Sequence, residues 1–141
     1  MPATIQQPNT QSHQLAEQYF QTFNENQFDK TAALFTQAGK LIPPFDSPVV
    51  GEDAILTYLQ KEADNITAYP QHWESEEEGD RTFIKVIGKV NAVVFKVNVA
   101  WYFIIPNTKT DALKIESVRV KLLASPKELL GLRSAASQSS S

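Results

Sequence analysis

The spacing of apolar residues changes once along the chain, near Pro70, and that change constrains the fold more than any other feature. Before it, apolar residues recur three or four apart: Leu15, Tyr19, Phe20 and Phe23, then Phe28, Ala32, Leu34 and Phe35, then Ile55, Tyr58, Leu59 and Ala63. Such spacing places them on one face of a helix. Ser12 offers an N-cap for the first helix, which breaks at Asn24-Glu25-Asn26; the second stops at Gly39, and Gly51-Glu52-Asp53 opens the third. After Pro70 the period becomes two, around His72 and Trp73, then in 83–90, 93–105 and 113–123. Alternation of that kind describes strands with one covered face. The expected fold class is α+β, three N-terminal helices packed on a curved antiparallel sheet.

Within 93–105 the face to be covered reads Val93, Phe95, Val97, Val99, Trp101, Phe103 and Ile105. Leu41-Ile42-Pro43-Pro44-Phe45 can hold at most a short strand or lip, because two prolines remove two backbone donors. The acidic run Glu74, Glu76, Glu77 and Glu78 with Gly79-Asp80 is expected to form the turn of the first hairpin. Ser125-Pro126 reads as the start of a short C-terminal helix through Leu132. Residues 1–11 are rich in Gln, Pro and Thr, and 134–141 are nearly all Ser and Ala, so both read as flexible tails around one domain at 12–133.

A chain of 141 residues can bury a real core and still leave room for a cavity. Its net charge of −3 argues against nucleic acid as a partner, which rewards clustered Lys and Arg, and favours a small neutral ligand. With no Cys, disulfides, thiolate nucleophiles and Cys-ligated metals are excluded. The start carries neither a basic cluster nor an apolar stretch, so a cytoplasmic location is expected. His13 and His72 are far apart in sequence without a carboxylate at metal-ligand spacing, and no metal is expected. No catalytic residue is assigned either. Abstraction of a proton needs a base within hydrogen-bond reach, and Pro43 and Pro44 supply none. Asp46 follows that lip, and 93–105 contain no Asp or Glu.

Several segments are more specific: YFQTFNENQFD at 19–29, Ala33-Leu34-Phe35, Pro43-Pro44-Phe45, Pro48-Val49-Val50-Gly51, Ile84-Lys85-Val86, Gly88-Lys89-Val90, Asn98-Val99-Ala100-Trp101 and LLASPKELL at 122–130. Together they resemble the C-terminal, carotenoid-binding domain of the cyanobacterial orange carotenoid proteins, over about residues 12–133. The resemblance implies a nuclear transport factor 2-like cone, shared with ketosteroid isomerases, and stand-alone homologs of that domain are carotenoid carriers. In that family a Tyr of the first helix and a Trp of a central strand donate hydrogen bonds to the keto oxygen of a ketocarotenoid; Tyr19 and Trp101 match them. The chemistry suits these residue types, since a keto ring in an apolar cavity offers one acceptor that a phenol O–H and an indole N–H can satisfy. The resemblance also implies Ala68, Leu122 and Leu123 along the tunnel, beside Phe95 and Val99 on the covered face.

The expected ligand is a ketocarotenoid of the canthaxanthin or echinenone type, held by a homodimer in which two cavity mouths share one pigment. The expected role is carriage between membranes and protein acceptors, a helical carotenoid-binding protein among them, together with quenching of singlet oxygen. The alternatives are a ketosteroid isomerase-like enzyme, a domain binding an unknown apolar ligand, and an interaction module whose cavity is filled by side chains.

Overall fold

A computed structural model describes residues 10–93, 96–107 and 113–123 of the chain. Phe95, the C-terminal helix expected from Ser125-Pro126 and the Ser-rich tail lie outside the described residues. Three helices, α1 (Thr10–Asn24), α2 (Phe28–Ala33) and α3 (Glu52–Glu62), pack against a six-stranded sheet. Its strands are β1 (Phe35–Ile42), β2 (Val49–Val50), β3 (Thr67–Glu78), β4 (Arg81–Asn91), β5 (Lys96–Pro106) and β6 (Ile115–Leu123), in the order β2-β1-β6-β5-β4-β3. The α+β arrangement is the expected one, with a difference in the sheet. It is mixed, because β1 runs parallel to β6 while every other pair is antiparallel. The helix α3 and the hairpins between β1 and β6 provide the long connection that a parallel pair requires.

Ser12 does not cap α1. The helix begins at Thr10, and Ser12 shares the buried face of Leu15, Ala16 and Tyr19 at offsets of three, four and seven residues. Nor does α2 reach Gly39. It ends at Ala33, and Phe35 starts an eight-residue strand that replaces the expected end of the helix and runs on to Ile42, the second residue of the expected lip. The reason is tertiary: β1 has hydrogen-bonding neighbours on both sides, and Gly39 sits in a register shift between Phe35 and Lys40. A Cβ there would stand 2.8 Å from that of Phe35, so this glycine accommodates an irregular strand rather than stopping a helix.

The acidic run is also strand rather than turn. β3 continues to Glu78, and only Gly79-Asp80 makes the turn, with Gly79 at φ 60°. Two residues with a glycine suffice for a hairpin, and carboxylates along an exposed edge strand oppose pairing with other chains. Val93, expected on the covered face, precedes β5 and is 79% exposed; the alternation holds from Val99 through Trp101 and Phe103 to Ile105, all buried.

Pro70 lies inside β3, paired with Gly88 of β4 and followed by a bulge before His72. A methyl group on Gly88 would overlap the Tyr69 carbonyl oxygen and stand 2.9 Å from the Pro70 Cα. Gly88→Ala is expected to lower stability by about 1–3 kcal/mol, read from the urea midpoint at unchanged slope. An unchanged midpoint would show that β3 can move aside there.

The core is aromatic where α1 crosses the sheet. Phe20 meets Trp101 edge-on with centroids 4.8 Å apart and Trp73 at 5.8 Å, and Tyr19 meets Phe103 edge-on at 5.3 Å. Edge-to-face contact sets the positive ring edge against the negative face.

Candidate functional site: an apolar cavity with two hydrogen-bond donors

A cavity of about 260 Å³ opens between the helices and the sheet. α1 contributes Tyr19 and Phe23, α3 contributes Tyr58, Leu59 and Glu62, and the segment after β1 contributes Pro43, Pro44 and Phe45. Ala68, Val90, Val97, Val99, Trp101, Val120 and Leu122 form the sheet side, alternate residues of β5 pointing inward as the period of two requires. Almost every lining group among the described residues is apolar, and the one carboxylate among them, Glu62, is exposed to solvent.

Of the residues expected at the site, Tyr19, Ala68, Val99, Trp101 and Leu122 share this wall. Leu123 does not: successive strand residues face opposite sides of the sheet, so Leu122 inward sends Leu123 outward. Phe95 lies outside the described residues.

Tyr19 is 2% exposed and stands among four phenylalanines, edge-on to Phe20 at 5.3 Å and to Phe35 at 6.3 Å, stacked on Phe23 at 6.0 Å, and against Phe103. Burial among these rings pushes its phenol well above the usual tyrosine range, and the nearby Tyr58 adds to the effect. Its hydroxyl therefore stays protonated, a donor, throughout the neutral range. Trp101 is 3% exposed on β5 and is joined to Tyr19 through Phe20. No hydrogen bond joins the Tyr19 hydroxyl or the Trp101 indole N–H to another of the described residues, among which the buried side-chain atom left unpaired is Ser12 Oγ. Both residues line the cavity, so their two donors are available to an acceptor placed inside it.

The wall at Ala68 is held by Asn24, which in sequence reads only as part of a helix break. As the last residue of α1, it donates from Nδ2 to the Ala68 carbonyl at 2.8 Å and accepts the Ala68 N–H at 2.8 Å. Nothing local in the sequence marks this, because the partner is 44 residues away. Asn24→Ala is expected to cost about 1–3 kcal/mol, since it leaves both backbone groups of Ala68 unpaired. Asn24→Asp, which keeps the acceptor, should recover part of that in thermal unfolding.

Each histidine has a carboxylate that sequence spacing did not single out: Glu17 lies 3.3 Å from His13, and Glu74 lies 3.0 Å from His72. Among the described residues no three metal-binding side chains gather in one place. Asp46, the acid nearest the lip, accepts from the Tyr58 hydroxyl at 3.3 Å.

Helices on a mixed sheet around an apolar cavity define a class, and residues 12–118 match the model of the nuclear transport factor 2 (NTF2) domain; the chain belongs to that family. Within it, the chain is 40% identical over 120 residues to the orange carotenoid-binding protein of Limnospira maxima, covering 82% of this chain and 37% of that protein. It is 39% identical over 117 residues to the orange carotenoid-binding protein of Synechocystis, covering 79% and 36%. The solved orange carotenoid protein of Anabaena (Nostoc), which binds canthaxanthin, matches with a TM-score of 0.69 at 39% identity, covering 80% of this chain and 37% of that one. The chain thus spans a little over a third of these relatives.

Proposed function

We propose that this chain is a water-soluble ketocarotenoid-binding carrier, whose Tyr19 and Trp101 donate to the keto oxygen of a canthaxanthin- or echinenone-type pigment. The observation that carries this is the pair of unpartnered donors on an otherwise apolar wall. A keto end ring has one strong acceptor attached to a hydrocarbon, and so complements that wall in both polarity and number of hydrogen bonds. The roughly 40% identity to orange carotenoid-binding proteins supports the same ligand class.

The size of the cavity adds an assembly. At about 260 Å³ it lies just below the ~300–1,000 Å³ of pockets that enclose drug-sized ligands, so it takes one end of a carotenoid and leaves the rest outside. A second copy, mouth to mouth, would cover that remainder with identical contacts. On this proposal the pigment is shared by a homodimer and passed between membranes and protein acceptors, including a helical carotenoid-binding protein, in the cytoplasm, and it also quenches singlet oxygen. Binding rather than catalysis is favoured because, among the described residues, the wall offers no enclosed base, Glu62 being exposed and Asp46 bonded to Tyr58.

The test is the visible absorption of the chain purified from cells that make canthaxanthin. A red-shifted band eluting at the size of a dimer is expected; colourless protein under good pigment supply would sink the proposal.

A further inference from the structure

Residues 43–48 join β1 to β2, and the first three of them, Pro43, Pro44 and Phe45, line one side of the cavity. Three of these six are proline, Pro43, Pro44 and Pro48. Each fixes its own φ and constrains the residue before it, which stiffens the segment into a strap between the two strands. Its N-terminal end is held in β1 between two neighbouring strands, and its C-terminal end is weakly held. β2 has only two residues, paired as Lys40↔Val50 and Leu41↔Val49 at the edge of the sheet.

Between those ends, among the described residues, one hydrogen bond fastens the strap: the Tyr58 hydroxyl to Asp46 Oδ2 at 3.3 Å. Tyr58 belongs to α3 and lines the cavity, so the bond joins the helix layer to the strap at the opening itself. Phe45, next to Asp46, lines the mouth while remaining 83% exposed. Burial, followed by the charge and hydrogen bond of Asp46 and the charge of Glu62, pushes the Tyr58 phenol up to about 12, which keeps it a donor at neutral pH.

We propose that the Tyr58–Asp46 hydrogen bond is a latch on this strap, and that Tyr58 is a positioning residue that sets how fast an apolar ligand enters and leaves the cavity. This rests on the cavity being a binding site. The latch is exposed and competes with water, so its effect is modest; losing one such bond corresponds to about a three- to tenfold change in the open population. It acts on entry and exit together, because it belongs to the closed mouth rather than to the ligand.

The experiment tracks entry and exit of Nile red by stopped-flow fluorescence, a probe that does not depend on the natural ligand. Tyr58→Phe and Asp46→Ala should each raise both rates about three- to tenfold, and the double variant should go no further than either single one. Asp46→Asn keeps an acceptor and should remain slow. Unchanged rates, or single effects that multiply in the double variant, would overturn the latch. If Nile red does not enter the unmodified chain, the binding-site reading fails, and the latch is then judged by amide hydrogen exchange at Ser47, Val49 and Val50. Faster exchange in Tyr58→Phe supports it, and equal exchange refutes it.

Discussion

Pigment bound to the Trp101→Phe or Tyr19→Phe variant is expected to lose much of its red shift and to bind about five- to a hundredfold more weakly than in the unmodified chain. Phenylalanine keeps an aromatic ring on the cavity wall and removes only the donor, so the change isolates the hydrogen bond. One donor remains in each single variant, which places both losses toward the lower end of that range. The double variant leaves the keto oxygen buried with no partner and should lose more than the two single effects combined. Canthaxanthin titration followed by absorption checks this, with the urea midpoint as a control, because replacing the 3%-exposed Trp101 by a smaller ring also disturbs packing. Full retention of colour and affinity in the double variant would remove both residues from the proposed ligand contact.

Phe103→Ala should be the most destabilising single change in the core, about 3–5 kcal/mol. The ring is 1% exposed and stands 5.3 Å from that of Tyr19 and 5.7 Å from that of Phe20. These are central rings fixed between a helix and a strand, so the surroundings cannot easily close over the gap. Phe103→Leu, which refills most of the volume, should cost less than half as much. Equilibrium unfolding in urea measures both, and a loss below about 1 kcal/mol for the alanine variant would show that the cluster collapses freely. Because Phe103 supports Tyr19, the alanine variant should also weaken pigment binding under conditions where it remains folded.

Periodicity encodes which residues share a face, and that decides how much of the site is legible in the sequence. The inward face of β5 was legible in Val99, Trp101, Phe103 and Ile105, since a period of two fixes alternate residues to one side. Tyr19 was legible in the same way on its helix. The second helix and first strand were not: Leu34 and Phe35 fit a helical spacing, and only β6, far along the chain, makes Phe35 a strand residue, through its pairing with Ile115. Local propensity is a weak prior when such pairing competes with it. The Glu74–Glu78 run failed for a related reason, because acidic residues resemble a turn unless β3 is known to be an edge. Asn24 and Tyr58 carried no local signal, since what each does depends on a partner brought near only by the fold.

Because β1 pairs in parallel with β6, the cavity cannot exist until nearly the whole domain has been made. Leu41 and Pro43 lie beside Val120 and Leu122 in its wall, yet the two pairs come from segments widely separated in the chain. During synthesis the helices and the proline segment emerge first, with no sheet to rest on, and contacts of such long sequence separation form late. No ligand can be enclosed while the chain is still growing toward Leu122. Anything that occupies the cavity must therefore enter a domain already made as far as Leu122, so that filling the cavity is an event separate from building it.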